Sequence, residues 1–526
     1  MKKNLNFLML STLVLASCTK TLPSVSVSEN SSSEITASDS NESMKESDST
    51  VSTSSNHDSD LNSSDSDILS NSNSNESISS SSDEIIEPVE PVYHEKNITH
   101  FLGSDNDVYR ININTINQEF PKDKENYVKG SLNITEQNTD LVLHSDMDMK
   151  IKLRGNSTMA ADKKPFKIKF ESKQKLFGLT KAKEWVLLAN YYDKSNVRNY
   201  LAYLTANKLT HLDFQPSSIF VDVYFNNEYQ GLYLLCEQME ANEGRVNIKD
   251  HSSSDGIGSF FLEADERAKD EYAGYQGYCY VTSGGYDFAL KHPDCDDYLE
   301  ALELSNSDDP AIREEATKTL NQYIKDVTWL QNFMDKTSES IYNLDHYEDY
   351  IDVDSFIDYY LVEEFFKNVD VGSTSQFYYI DQSADNVRLN CGPVWDFDIA
   401  AGAVDNSRGG YDLYTKTPLF TAYRDYYYRA LFQDIHFINK VKARYSEIRE
   451  SVFLSVFDEL DLVKQLLDKA QTRNLAKWPY TSERKTWIEI YALGNYYYDI
   501  PTLSGHYDYL ENFLENRLQL LDDVYL

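Results

Sequence analysis

Asp396 and Asp398 stand two residues apart in the run Gly392-Pro393-Val394-Trp395-Asp396-Phe397-Asp398-Ile399-Ala400-Ala401-Gly402. Apart from these two carboxylates the run is apolar. An apolar run is expected to be buried, and a buried carboxylate is costly unless it is paired or holds a metal. In an extended segment a spacing of two sends both side chains to one face. Such a pair suits a hard divalent cation such as Mg2+, which takes one or two carboxylates and completes its shell with phosphate oxygens. Mn2+ accepts the same ligands.

A complementary stretch lies upstream. Lys163, Lys164, Lys167, Lys169, Lys173, Lys175, Lys181 and Lys183 fall within 21 residues, with Glu171 the one acid between them. The whole chain carries a formal charge of −37, of which −26 falls on residues 91–526. That balance argues against a nucleic-acid partner. A cationic stretch inside so acidic a chain points to phosphate, which a strand lysine can reach as a point charge. For any single lysine here, a solvated strand face is the plainer reading. Arg154-Gly155-Asn156-Ser157-Thr158 precedes the stretch as a turn whose amides, with Arg154 beside them, could cradle an anion.

Strands and helices must bring these groups together. Period-two alternation predicts strands at 108–113, 149–153 and 165–170, the last with Phe166, Ile168 and Phe170 on one face and Lys167 and Lys169 on the other. Further strands are expected at 185–189, 219–225 and 231–236, and a helix over 195–209 with Ser195 as its N-cap. Beyond about residue 250 the chain reads as mainly helical, with helices at 310–336, 354–367, 437–449, 462–474 and 507–521. The helix ending near Lys367 runs into Asn368-Val369-Asp370. A strand at 376–380, a polar turn and a strand at 387–389 then lead to Asp396. Helix, loop carboxylate, hairpin, metal carboxylate is the order of parts in protein kinases, although neither His-Arg-Asp nor Asp-Phe-Gly is present. The plainer reading of Asn368 and Asp370 is an Asx-rich helix C-terminal turn. The fold class expected is α+β, with a β-rich lobe over 91–250 and a mainly helical lobe over 251–526.

Taken together these stretches resemble the spore-coat protein H (CotH) kinase-like family. The matching pieces are Arg154-Gly155-Asn156-Ser157 with Lys163 to Lys169, the Trp185-to-Asp193 segment with Arg198-Asn199, and Val221 to Gln238. Arg245-Val246-Asn247-Ile248, Phe365 to Asp370 and the run that holds Asp396 follow in order. The resemblance implies a bilobal atypical protein-kinase fold that transfers phosphate from ATP, with Mg2+ or Mn2+, to secreted or surface proteins. By the same resemblance Asp370 is the catalytic carboxylate, Lys167 or Lys169 meets the nucleotide phosphates, and Asp396 is the main metal ligand with Asn368 or Asp398 assisting. Glu237 is then at the hinge near the adenine. Between Asn156 and Lys163, where the family often carries an aromatic residue, this chain has none.

The N-terminus predicts location. Met1-Lys2-Lys3 and a short apolar run end in Leu15-Ala16-Ser17-Cys18, which resembles a bacterial lipobox. Residues 1–18 then form a lipoprotein signal peptide, and a lipid on Cys18 is the one membrane attachment, at the outer face of the cytoplasmic membrane. An ordinary secretory signal is the alternative. Residues 19–90 hold 15 acidic and 2 basic side chains with hardly any aromatic residue. Such a segment is expected to be a disordered tether with a reach of about 45–50 Å, and its serines are candidate acceptors in cis. The spacings of Cys236, Cys279, Cys295 and Cys391 fit no zinc pattern; a Cys279–Cys295 disulfide and buried free thiols both stay open.

Two other functions compete. A catalytically silent binding module for surface proteins or wall polymers could use the many tyrosines, but need not keep Lys169, Asp370 and Asp396. A glycosidase using Asp396 and Asp398 as acid and base leaves the lysine-rich strand without a role.

Overall fold

Alternating side chains close the first part of the chain into a seven-stranded barrel. The computed structural model describes residues 102–526, except 105, 140, 250–255 and 405–418. The expected signal peptide with Cys18, and the expected tether, lie outside the described residues. The barrel strands are β1 (Tyr109–Thr115), β2 (Val128–Thr135), β3 (Val142–Leu153), β4 (Phe166–Gln174), β5 (Ala182–Leu188), β6 (Ser218–Phe225) and β7 (Glu228–Glu237). Their order is β1-β2-β3-β4-β5-β7-β6. β6 closes on β1 in parallel, and the other neighbours are antiparallel. Phe166, Ile168 and Phe170 point into a core of their own with Ile111, Ile151, Trp185 and Val221. Lys167 and Lys169 point out, as the alternation requires.

Helix α1 (Arg198–Asn207) connects β5 to β6. Ser195 does not cap it: the helix starts after Val197 with no side-chain cap on its first turn from that residue. The carboxylate of Asp193 does this work instead. It accepts from the Arg198 amide (2.7 Å) and from the Ser195 amide and hydroxyl (3.0 and 2.5 Å).

The second part is mainly helical, as expected beyond about residue 250, but it opens with three strands that the sequence did not reveal. Strands β8 (Phe260–Ala264), β9 (Tyr280–Ser283) and β10 (Tyr286–His292) come first, with a short helix α2 (Ala268–Glu271) between β8 and β9. With β11 (Gln376–Ile380) and β12 (Asn390–Cys391) they form a sheet of order β12-β11-β8-β10-β9. β8 is buried on both faces, so it has no period of two to read. The strand expected at 387–389 is displaced: Leu389 bridges Ile351 in parallel, and the ladder to β11 uses Asn390 and Cys391.

Helices α3 (Cys295–Leu304), α4 (Pro310–Asn343) and α5 (Val353–Phe366) precede β11. After β12 come α6 (Thr421–Arg424), α7 (Tyr426–Leu431), α8 (Ile435–Ile448), α9 (Ser455–Leu466), α10 (Asp468–Lys477), α11 (Trp487–Tyr491), α12 (Asn495–Tyr498) and α13 (Leu503–Tyr525). The single helix expected at 462–474 is broken at Leu467 into α9 and α10. Asp309 caps α4 with Pro310 at its first position, and Asp352 caps α5, both standard starts. Every residue of α5 except Asp354 is buried. A buried Arg517–Glu364 ion pair ties it to α13, so α5 is a fixed rod whose C-terminal end presents Asn368 and Asp370. The architecture is thus α+β, strand-rich first and helical later. Among the described residues no helix is long and apolar enough to cross a membrane. Cys279 and Cys295 form a disulfide, and Cys236 and Cys391 are buried free thiols.

Candidate active site

The segment from Gly392 to Gly402 is a loop, not the extended strand the spacing suggested. Asp396 has φ +64°, a left-handed conformation that is uncommon for a residue with a Cβ and persists only where the surroundings enforce it. Here they do. The Val394 amide donates to Gln215 Oε1 (2.9 Å), the Phe397 amide to Asn199 Oδ1 (2.7 Å) and the Ala401 amide to the Phe366 carbonyl (2.8 Å). Buried Arg198 donates to the carbonyls of Ala400 (3.0 Å) and Ala401 (3.3 Å), while Asp193 neutralises it at 2.6 Å. The start of α1 is therefore the clamp that shapes the acidic loop. Asp396 and Asp398 share a cavity through this clamp and the left-handed turn, not through a β-pleat.

Two adjoining cavities meet at this loop. The larger, about 520 Å³, is lined from the barrel by Arg154, Lys167 and Glu184, and from the stretch after β7 by Gln238 to Ala241. Its other wall holds Glu263, Lys291, His292, Asp294, Phe377 and Trp395. The smaller, about 110 Å³, is lined by Arg154, the turn from Gly155 to Thr158, Asn199, Arg267, Ser375, Asp396 and Asp398. Both contain Arg154, Glu263 and Trp395. The Arg154 guanidinium lies over the Trp395 ring at 5.5 Å, and Tyr203 stacks on the same ring at 5.4 Å. Gly155 takes φ +78°, and a Cβ there would stand 2.2 Å from Thr158 Oγ1, so the turn needs glycine.

The charges around the larger cavity are arranged as three ion pairs, beside one acidic group without an ion-pair partner. Glu184 on β5 accepts both Lys167 (2.5 Å) and Lys169 (2.6 Å). Burial works to raise its carboxyl, but the two lysines outweigh this and hold it below the usual range. Across the larger cavity Lys291 pairs with Glu263 at 2.7 Å. Asp396 and Asp398, by contrast, form no ion pair with any described residue. Burial raises both, and Asp396 and Asp370 push Asp398 up further, with Arg154 opposing. Asp370 is pushed up to about 7 by burial and by Asp396, against Arg267 and Arg424. Asp396 and Asp398, two buried carboxylates without a direct cation partner, are a donor pair that a divalent cation fits. No three or more His, Cys, Asp or Glu side chains are already gathered into a metal cage among the described residues. Mg2+ commonly relies on one or two carboxylates and takes its remaining ligands from phosphate and water.

The residues singled out from sequence divide accordingly. Arg154, Lys167, Asp396 and Asp398 line the cavities. Lys169 lines neither; its amine is on Glu184. Glu237 also lies behind the wall, bound to Arg245 (2.9 Å) and the Ser217 amide (2.9 Å), so its neighbours Gln238 to Ala241 face the cavity instead. Asn368 Oδ1 accepts from the Asp370 amide at 3.2 Å, which makes it a brace for Asp370. Asp370 is felt electrostatically by Asp398 and Arg267. Glu184, Glu263 and Lys291 escaped the sequence reading because cross-strand register, not spacing, puts them there, and Arg267 because the turn between β8 and α2 does.

Among curated proteins none matches the chain. The model of the CotH kinase protein family matches residues 151–521, a span that contains Arg154, the acidic loop and the helices up to α13. The chain belongs to the CotH kinase protein family.

Proposed function

We propose that this chain is an ATP- and metal-dependent protein kinase with a bilobal, atypical kinase-like fold, the barrel forming one lobe and the five-stranded sheet with its helices the other. The observation that carries this reading is the pair of adjoining cavities, one holding the Lys167–Glu184 pair and the other Asp396 and Asp398, joined through Arg154 and Trp395. Lys167 and the turn after Arg154 bind the nucleotide phosphates. Asp396 and Asp398 would hold a divalent cation, which would neutralise charge on those phosphates. Asn368 braces Asp370, whose raised pKa suits a group that accepts a proton near neutral pH. The acceptor hydroxyl oxygen bonds to the terminal phosphorus, and the bond from that phosphorus to the bridging oxygen breaks. The electron pair leaves on ADP, and the hydroxyl proton passes to Asp370 and then to solvent. Positioning and charge neutralisation supply most of the rate.

The substrate proposed is a secreted or surface protein, with the chain's own Ser-rich residues 19–90 as one candidate. Lipidation of Cys18 would hold the enzyme at the outer face of the membrane. The Cys279–Cys295 disulfide supports an oxidising compartment. The test is incubation with γ-labelled ATP and either Mg2+ or Mn2+, scoring label on the chain itself and on surface proteins. Asp396→Ala should lose transfer by at least about 10²-fold while keeping its melting profile. Labelling by this variant at the parent rate overturns the metal assignment. Metal-dependent nucleotide protection with no transfer would instead identify a silent binding module.

A further inference from the structure

We propose that Arg267 is a built-in clamp for the phosphoryl group in transit, a role that rests on the kinase reading above. Arg267 follows β8 and lines the smaller cavity together with the barrel's Arg154. Its orientation is over-determined. Nε and Nη2 donate to the two carboxylate oxygens of Asp265 (2.8 Å each), and Nη2 also reaches Thr374 Oγ1 (2.6 Å). This two-pronged pairing fixes the plane of the guanidinium. Nη1 has no hydrogen-bond acceptor among the described residues; the side chain is 38% exposed and lines a cavity shared with Asp396, Asp398 and the turn after Arg154.

The position answers an electrostatic problem of the proposed reaction. Asp370, Asp396 and Asp398 crowd acidic charge where a highly charged phosphoryl group must pass. A cation held by Asp396 and Asp398 relieves one side. The side toward Asp370 needs its own positive charge, or the catalytic carboxylate repels the group it serves. The field of Arg267 reaches both Asp370 and Asp396. Held by Asp265 and Thr374, it need not reorganise as charge develops on the terminal phosphoryl oxygens, the condition under which such a donor is most effective. Arg424 also acts on Asp370, but its Nε is bound to the Val371 carbonyl (3.1 Å) and it lines neither cavity.

The clamp is tested by thermal protection with AMP, ADP and a non-hydrolysable ATP analogue, each with Mg2+, alongside transfer rates. The parent should be protected more by the ATP analogue than by ADP. Arg267→Gln and Arg267→Lys should lose that difference while keeping the AMP and ADP shifts, and should lower the transfer rate about 10²–10³-fold with the acceptor KM unchanged. Arg267→Lys keeps a cation beside Asp265, so it separates the clamp from a merely structural prop, which would alter melting without altering the ATP–ADP difference. Variants that retain both the parent's ATP preference and a rate within about threefold overturn the clamp and leave the kinase reading intact. Absence of nucleotide protection in the unmutated protein overturns both.

Discussion

Replacing Asn199 by Ala should disorganise the acidic loop without touching either carboxylate, through the loss of two hydrogen bonds. Asn199 is 2% exposed. Its Oδ1 accepts from the Phe397 amide at 2.7 Å, and its Nδ2 donates to Asn190 Oδ1 at 3.0 Å. Alanine leaves a buried amide and a buried carbonyl oxygen unpaired, each at a cost of about 1–3 kcal/mol. The loss in stability should be roughly 2–5 kcal/mol, a fall in melting temperature of about 2–6 °C for a folded unit of this size. The larger effect should be functional, because Phe397 stands between the two carboxylates and its amide helps hold Asp396 at φ +64°. Freed of that anchor, Asp396 relaxes toward an ordinary conformation and the carboxylates no longer converge. Mg2+-dependent protection by ATP should weaken by about tenfold or more, equivalent to ~1.4 kcal/mol. Asn199→Asp is the informative partner: it keeps an acceptor for Phe397 but opposes Asn190 Oδ1 with a second oxygen. The assay is thermal unfolding with and without ATP and Mg2+. An Asn199→Ala protein that melts within about 1 °C of the parent and keeps its full metal-dependent protection would refute the argument that α1 shapes the site.

Two further outcomes concern Lys163 and the Cys279–Cys295 disulfide. Lys163 is fully buried against Tyr233 and the Leu232 carbonyl, and burial pushes its amine down to about 7 from 10.5. Between those values the unfolded chain holds a proton that the folded chain lacks, so this group's contribution to stability rises with pH across that window. Lys163→Met should remove up to about 3 kcal/mol of the gain between pH 7 and pH 9; urea midpoints at both pH values that change in parallel with the parent's would contradict this. Reducing the Cys279–Cys295 disulfide, or replacing both cysteines by Ser, should cost about 2–4 kcal/mol. It should also weaken nucleotide protection, since Cys295, Asp294 and His292 line the larger cavity; equal melting curves with and without reductant would count against it.

Local pattern accounts for much of what was legible. The Phe166, Ile168, Phe170 alternation marks the barrel face of β4, and Lys167 and Lys169 mark the other, because a strand's side chains alternate whatever lies beside it. Long amphipathic helices such as α4 and α13 show their period, whereas the caps Asp309 and Asp352 came to light only in the structure. The acidic run declared itself by contrast, two carboxylates among apolar neighbours. β8 and β9 were invisible for the converse reason: a strand buried on both faces, or only four residues long, carries no period to detect; β10 does alternate, Tyr286, Phe288 and Leu290 against Asp287, Ala289 and Lys291, and was passed over among helical neighbours.

The amino-acid order by itself determined which faces would be apolar and where the reactive residue types would sit, because side-chain periodicity is a property of a few neighbouring residues. Tertiary structure alone decided that Glu184 would take both strand lysines, that Glu237 would turn to Arg245, and that Asp193, Arg198 and Asn199 would mould a loop some two hundred residues later in the chain. It likewise set Arg267 against the acidic group and joined Cys279 to Cys295. Those pairings depend on strand register, on a left-handed turn at Asp396 and on the packing of α1, none of which any short stretch of sequence encodes.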